Sequence, residues 1–290
     1  MGHESRLRFR APAKLNLYLR VVGKRADGFH ELETIFERID LADELTFEAA
    51  ATLSLTCTDP TLSCGDDNLV LKAARLLQQK SGAGQGARIH LTKRIPIAAG
   101  LGGGSSDAAT TLRGLNTLWN LLWPKERLIE LGAQLGSDVP FFLYDTPFAI
   151  GRGRGEICEP IPGQPLAQVL VVPDAQLSTK EIYEELNLPL TPPTASITIV
   201  AHALRNGPAS AGLAAGLWND LEPVAIRRCP VIPHIQETLR ACGVLAARLS
   251  GSGPAVFGLC RDRAHAHEMV TTLRTSTPSS WRIELVQTDR

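Results

Sequence analysis

Residues 96–107 read Pro-Ile-Ala-Ala-Gly-Leu-Gly-Gly-Gly-Ser-Ser-Asp, and a run with helical spacing of apolar residues follows over 107–122. The stretch 96–106 has neither helical nor strand periodicity, so it predicts a loop that leads into the N-terminus of a helix. Glycines let backbone N–H groups approach an anion closely, and a helix N-terminus adds positive partial charge. The pattern therefore predicts a phosphate site.

The whole loop is expected to contribute to this site. Its residues are Pro96, Ile97, Ala98, Ala99, Gly100, Leu101, Gly102, Gly103, Gly104, Ser105 and Ser106. The two serine hydroxyls can add donors or reach a metal ion. A flexible glycine turn is the ordinary alternative, but several glycines and two serines before a long helix favour phosphate. The loop is neither a Walker A sequence nor a GxGxxG sequence, because the lysine and the glycine spacing do not fit.

Two further segments are rich in turn-forming residues, and the first of them also carries an acidic side chain. Asp138 stands between Gly136 and Pro140, and residues 249–255 read Leu-Ser-Gly-Ser-Gly-Pro-Ala. Each is typical of an ordinary turn. Lys14 would by default be a solvated charge. If the fold brings Lys14 to Asp138, the pair is either structural or a base beside a cation, and spacing alone leaves both open.

An aromatic residue and a histidine are adjacent in the segment Asp27-Gly28-Phe29-His30. A plain turn and a lone surface histidine are the common interpretation of such a segment. An aromatic ring beside an imidazole can also stack on a nucleobase and form hydrogen bonds with it.

The remaining pattern predicts an α+β chain of two domains. Residues 1–155 form the first and residues 166–290 the second. The Gly- and Pro-rich segment at 151–165 is either the boundary between them or a long surface loop. Predicted strands include 15–21, 35–39, 44–48, 88–91, 141–144, 148–150, 169–172, 246–249, 255–260 and 282–288. Predicted helices include one after an Asp67 N-cap, ending at 82–86, and those at 107–122, 124–135, 178–185, 196–205, 217–228, 232–242 and 263–274. In the second domain this order is typical of a ferredoxin-like topology with an added helix.

Composition excludes several classes of protein. Of 290 residues, 44% are hydrophobic and 21% charged, and 30 basic residues balance 30 acidic ones. These values are typical of a globular protein and argue against one that wraps nucleic acid or an anionic membrane. No apolar run has the length of a membrane span, and the six cysteines form no CxxC pair. We therefore expect a cytoplasmic protein that binds neither nucleic acid nor membrane.

Four segments together resemble the GHMP small-molecule kinases over about residues 11–287. Residues 11–17 (Ala-Pro-Ala-Lys-Leu-Asn-Leu) resemble the first family motif, 96–106 the phosphate loop, 135–140 the catalytic-aspartate segment and 249–255 the third motif. The resemblance implies a ribosomal-protein-S5-domain-2-like N-terminal domain and a ferredoxin-like C-terminal domain. It also implies ATP and Mg²⁺, with Lys14 and Asp138 as catalytic residues, and it leaves the metal ligands and the oligomeric state open.

Residues 24–32 are similar to the R-x-D-G-[YF]-H segment of family members that act on cytidine diphosphate-linked methylerythritol. That likeness implies a small-molecule substrate held by Phe29, His30, Asn16 and Tyr183, with Asn68 near the adenine of ATP, and Lys93 and Arg94 beside the nucleotide. Phe29 stands where tyrosine is usual, and Ala98 and Ala99 stand where glycines are frequent. The remaining alternatives are another alcohol substrate, or a nucleotide-binding regulator without activity.

Overall fold

The computed structural model describes residues 6–187, 196–208 and 211–289. The strands in these ranges are β1 (Leu7–Lys24), β2 (His30–Ala50), β3 (Ser54–Cys57), β4 (Gly86–Thr92), β5 (Phe148–Gly153), β6 (Ile157–Pro160), β7 (Ala167–Val172), β8 (Trp218–Asn219), β9 (Ala246–Leu249), β10 (Val256–Leu259) and β11 (Arg282–Gln287). The helices are α1 (Leu69–Ser81), α2 (Gly103–Leu118), α3 (Lys125–Leu135), α4 (Thr179–Glu184), α5 (Ile197–Arg205), α6 (Ala211–Gly216), α7 (Glu222–Arg228), α8 (Val231–Ala241) and α9 (Arg263–Ser276).

The chain divides into two compact units that no single cut separates. Unit 1 holds residues 1–13, 41–95 and 102–145, and unit 2 holds residues 14–40, 96–101 and 146–290. Because β1 and β2 each contribute to both units, this division differs from two consecutive ranges. The domain ranges 1–155 and 166–290 stay a prediction. Residues 151–165 hold the end of β5 and all of β6.

Unit 1 is a sheet covered by helices. Its strands lie in the order β3-β4-β2, with β3 parallel to β4 and joined to it through α1. The buried side of α1 presents Val70, Leu71, Ala73, Ala74 and Leu77, and α1 packs against α2 and α3. Gly114 on α2 lies so close to the ring of Phe47 that no side chain would fit at position 114. This contact packs the C-terminal part of α2 tightly against the sheet.

Unit 2 contains a four-stranded antiparallel sheet in the order β11-β7-β10-β9. Helix α8 packs on β9 and β10, and α9 packs on β7 and β11. The strand order and the two helices confirm the ferredoxin-like topology, with α4 to α7 added between β7 and α8. Elsewhere in this unit β5 pairs with β2 and β6, and β8 pairs in parallel with β1 at Tyr18 and Leu19.

Several local predictions were wrong. Helix α2 starts at Gly103, not at 107, because the Ser106 N–H already donates to the Gly102 carbonyl and packing overrides the low helix propensity of glycine. Residues Pro140–Leu143 form a 3₁₀ helix, not a strand, since proline starts it and their apolar side chains are buried. Residues 218–219 form β8, and the helix predicted from 217 starts at Glu222. The cap of α1 is Asn68, not Asp67.

Candidate active site

In unit 2 the carbonyl groups at the end of the glycine-rich loop are occupied by neighbouring residues. The Ala99 carbonyl accepts from the Ala255 N–H at 3.2 Å, the Leu101 carbonyl accepts from the Lys14 N–H at 2.9 Å, and the Gly100 carbonyl accepts from the Ser250 hydroxyl at 3.1 Å. Segments 14–17, 96–101 and 249–255, which are far apart in sequence, therefore meet in this unit.

In unit 1 the loop continues as the first turn of α2. Gly102 is the N-cap with a φ of 69°, and no side chain caps the helix. The N–H groups of Gly103, Gly104 and Ser105 therefore have no partner within the helix, and the helix dipole adds positive potential there. The Ser106 hydroxyl is buried and has no hydrogen-bond partner among the described residues. This end of α2 is suited to an anion.

A buried lysine joins the segment before the loop to the helix after it, all within unit 1. The Lys93 ammonium pairs with Asp43 and, at 3.2 Å, with Asp107 on the first turns of α2. Asp43 also accepts from the N–H groups of Arg94 and Ile95, at 2.5 and 2.8 Å. Burial, with the Asp43 carboxylate, raises the pKa of Asp107 despite the opposing charge of Lys93. The Lys93 charge is balanced by these carboxyl groups inside the unit. A position of Lys93 and Arg94 beside the nucleotide stays a prediction.

Lys14 and Asn16 form a buried polar pair on β1 in unit 2. The Lys14 ammonium donates to Asn16 Oδ1, and Asn16 Nδ2 donates to the Thr34 hydroxyl at 2.8 Å. Lys14 is 4% exposed, and its Nζ lies 5.8 Å from the centroid of the Phe36 ring. A lysine held in this way is a fixed positive charge rather than a solvated one.

Asp138 lies in unit 1, in the turn between α3 and the 3₁₀ helix. The Val139 N–H donates to the Gly136 carbonyl at 3.3 Å, which closes the turn. A Cβ on Gly136 would be 3.9 Å from the Ser105 hydroxyl, so this turn lies beside the first turn of α2. The turn that carries the predicted catalytic aspartate is thus next to a predicted phosphate-loop serine. The pairing of Asp138 with Lys14 stays a prediction.

Aromatic side chains cluster in unit 2 around the start of β2. The rings of His30 and Tyr183 stack with their centroids 5.2 Å apart and an interplanar angle of 29°. Phe29 is 51% exposed, and the Arg154 guanidinium lies 4.7 Å from its ring centroid. Burial, together with the charge of Lys24, lowers the pKa of His30, which favours a neutral ring. Three predicted residues thus share one unit with Lys14 and Asn16.

Arg154 was missed by the sequence analysis. It lies in the turn between β5 and β6, where its N–H donates to Glu156 Oε2 at 2.6 Å and its guanidinium pairs with Glu156 at 3.5 Å. The one signal in the sequence is its position in a Gly-Arg-Gly-Arg-Gly segment, which indicates a turn. That signal does not indicate which residue the guanidinium contacts.

Asn68 has a structural function that the sequence analysis assigned to its neighbour. Its Oδ1 caps α1 by accepting from the Val70 N–H at 2.9 Å, and its Nδ2 donates to the Ser63 carbonyl at 2.6 Å. These bonds fix the loop before α1. Contact of Asn68 with adenine stays a prediction.

The residues that the structure describes contain no cluster of three or more His, Cys, Asp or Glu side chains able to hold a metal ion. Ser105 and Ser106 offer hydroxyl oxygens, the hard ligand type that Mg²⁺ accepts alongside phosphate and water. The described helices include none with the length and apolar character to cross a membrane.

Comparison with known proteins assigns the class. The model of the GHMP kinases N terminal domain matches residues 68–146, and that of the GHMP kinases C terminal domain matches residues 200–278. The chain belongs to the GHMP kinases, a family of ATP-dependent small-molecule kinases, and it has the two-domain α+β fold of that family.

Individual relatives narrow the comparison. The chain is 45% identical to the 4-diphosphocytidyl-2-C-methyl-D-erythritol kinase of Pelotomaculum thermopropionicum, over 91% of this chain and 92% of the relative. It is 40% identical to the kinase of the same name from Gloeobacter violaceus, over 92% and 90% of the two chains. A crystal structure of 4-(cytidine 5'-diphospho)-2C-methyl-D-erythritol kinase superposes with a TM-score of 0.80 at 35% identity, covering 97% of this chain and 99% of the other.

Proposed function

We propose that the protein transfers the γ-phosphoryl group of ATP to the 2-hydroxyl of 4-diphosphocytidyl-2-C-methyl-D-erythritol, giving the 2-phosphate and ADP in the non-mevalonate pathway to isoprenoid precursors. The observation that carries the proposal is the aromatic group of Phe29, His30 and Tyr183, located in the same unit as Lys14 and Asn16. A half-exposed phenyl ring suits stacking on cytosine, and a neutral imidazole can both donate to and accept from the base.

The chemistry requires a proton acceptor and stabilisation of charge. Asp138 accepts the proton of the substrate hydroxyl, or orients that hydroxyl if the proton moves late in a loose transition state. The Lys14 charge stabilises the developing alkoxide, and Asn16 orients the substrate. The free N–H groups of α2 stabilise charge on the transferred phosphoryl group. These roles agree with the fixed position of Lys14 and with the location of the Gly136–Asp138 turn beside the first turn of α2.

ATP lies along residues 96–106 in this proposal, with Asn68 near its base. Mg²⁺, when bound, neutralises phosphate charge, and Ser105 and Ser106 are the residues that would hold it. The buried Ser106 hydroxyl, which has no partner among the described residues, fits this function. We also propose a cytoplasmic location, because both substrates are small water-soluble molecules.

The test measures ADP release from MgATP with four acceptors in parallel: 4-diphosphocytidyl-2-C-methylerythritol, methylerythritol phosphate, mevalonate and homoserine. Release with the cytidylyl alcohol alone is the expected result. Release with another alcohol would support kinase activity but contradict the proposed cytosine-binding site. Failure with every acceptor, in a folded protein that still binds ATP, would instead favour a nucleotide-binding regulator.

A further inference from the structure

A buried asparagine holds the turn at residues 249–251 from the side. Asn219 on β8 is 6% exposed, and its Nδ2 donates to the Leu249 carbonyl at 2.9 Å and to the Gly251 carbonyl at 2.8 Å. Its Oδ1 accepts from the Leu221 N–H at 2.9 Å. Every polar atom of this side chain is therefore bonded to backbone, and two of the three bonds go to one turn.

A carboxylate holds the same turn through a different group. Glu222 Oε2 accepts from the Leu249 N–H at 2.9 Å. The segment Trp218-Asn219-Asp220-Leu221-Glu222 thus bonds both the N–H and the carbonyl of Leu249. We name Asn219 and Glu222 the turn brace.

The braced turn lies directly against Lys14 and Asn16. Gly251 has a φ of 55°, and a Cβ there would lie 3.2 Å from Lys14 Nζ and 3.2 Å from Asn16 Oδ1. Ser250 Oγ accepts from the Asn16 N–H at 3.3 Å and donates to the Gly100 carbonyl. The backbone of this turn therefore forms one wall of the space that the lysine ammonium occupies.

We infer that Asn219 and Glu222 are positioning residues that hold the Ser250–Gly251 backbone against Lys14 and so fix its ammonium for phosphoryl transfer. This inference rests on the proposed function, in which Lys14 acts at the reacting hydroxyl. A buried carbonyl left without a donor carries a large desolvation penalty, so loss of the Asn219 amide should move the turn. A displacement of about 1 Å at a catalytic group can cost about 10²-fold in rate.

The experiment compares Asn219→Ala with Asp220→Ala. Asp220 is buried in the same segment, but it accepts from the Val21 N–H at 2.7 Å and from Trp218, and not from the turn. Both variants lose a buried hydrogen-bonding group, so both should lose stability. We expect kcat to fall by about 10²-fold in Asn219→Ala, with the KM values for ATP and the acceptor little changed, whereas Asp220→Ala should retain kcat.

A second pair tests the brace if Asn219→Ala does not fold. Glu222→Gln retains an oxygen that can accept from Leu249, so it should retain kcat, whereas Glu222→Ala should lose it. Equal kcat in these two variants, or an equal fall in Asn219→Ala and Asp220→Ala, would contradict the inference. The turn brace would then contribute only to the stability of the fold and not to catalysis.

Acetylation of Lys14, followed by mass spectrometry, tests the brace without activity. The buried lysine should be protected in the wild type and in Asp220→Ala, and labelled faster in Asn219→Ala. If the wild type phosphorylates no cytidylyl alcohol but this contrast appears, the proposed function fails and the brace stands. If Lys14 remains protected in Asn219→Ala, the inference is wrong.

Discussion

The carbonyl oxygen of Ser250 occupies the space that a side chain at residue 100 would need. A Cβ on Gly100 would lie far inside the 3.0 Å that real Cβ contacts keep, and the Gly253 nitrogen would lie 2.9 Å away. Gly100 also has a φ of 77°. The phosphate loop and the turn at 249–255 can therefore approach each other only with glycine at this position.

Gly100→Ala should lose both stability and turnover, because the new methyl group must displace the Ser250 backbone. Gly82→Ala is the matched control, since Gly82 has a φ of 70° and open space around its Cα. That control should lose roughly 1–2 kcal/mol from the backbone strain alone. Urea unfolding and kcat measure the two effects, and similar losses in both variants would contradict the steric argument.

Asp138→Asn should reduce turnover by about 10² to 10⁴-fold while nucleotide affinity remains nearly intact, because general base assistance has that size. Asp145→Asn is the control, since this exposed carboxylate of the same unit pairs only with Lys125, at 3.5 Å, among the ion pairs of the described chain. Steady-state rates and ATP titration give the comparison. Parallel loss of binding and turnover would make Asp138 a structural residue.

Phe29→Leu should raise the KM for the cytidylyl substrate by about tenfold or more, since base stacking on an aromatic ring contributes about 1–3 kcal/mol. Phe29→Tyr keeps the ring and should match the wild type. Arg154→Met removes the cation from above the ring and should give a smaller rise in KM. Ile199→Ala is the control, because it changes an exposed apolar residue outside the cluster and should leave the KM unchanged. Equal effects of Leu and Tyr at position 29 would contradict stacking of the substrate on Phe29.

Lys93→Met should destabilise unit 1 strongly, by about 3–5 kcal/mol, because it leaves the carboxylates of Asp43 and Asp107 buried without their cation. The exposed Lys125 pair with Asp145 gives the contrast, because Lys125→Met should cost about 0–1 kcal/mol. Urea unfolding measures both variants. A small loss in Lys93→Met would mean that the two carboxyl groups take up protons at little cost.

The buried carboxyl group of Glu37 should make the free energy of unfolding depend on pH. Its fully buried carboxyl accepts from Gln168 and Thr288, and burial raises its pKa to about 7 from 4.5. The folded protein therefore holds a proton that the unfolded chain releases, so this contribution is complete below about pH 4.5 and is lost as pH rises through about 7. Glu37→Gln should flatten the fall of the unfolding free energy between about pH 5 and pH 8. The exposed Glu237→Gln should follow the wild type, and an unchanged slope in Glu37→Gln would refute the assignment.

Local sequence signals predicted those parts of the fold that depend on neighbouring residues. The helix predicted at 178–185, the end of α1 at Gly82 and the strands predicted at 246–249 and 255–260 are of this kind. The prediction failed where distant packing decides. Phe141 and Phe142 have strand propensity, yet burial beside α2 and α3 gives a 3₁₀ turn.

The candidate site divides in the same way. Lys14, Asp138 and residues 96–106 stand in segments that resemble family motifs, so a sequence is sufficient to suggest them. Asn219 and Arg154 contact residues that are about 30 and 125 positions away in the chain. The sequence around a single polar residue does not identify such a distant partner. These two residues could be identified only from the three-dimensional structure.

The interleaved course of the chain affects how it can be dissected. The backbone changes from one compact unit to the other five times, at 13, 40, 95, 101 and 145. A single cut anywhere between residues 14 and 145 therefore divides both units, and fragments produced by such a cut should aggregate rather than fold. Circular permutants, which preserve every segment and only move the ends, offer the workable route to studying how this chain assembles.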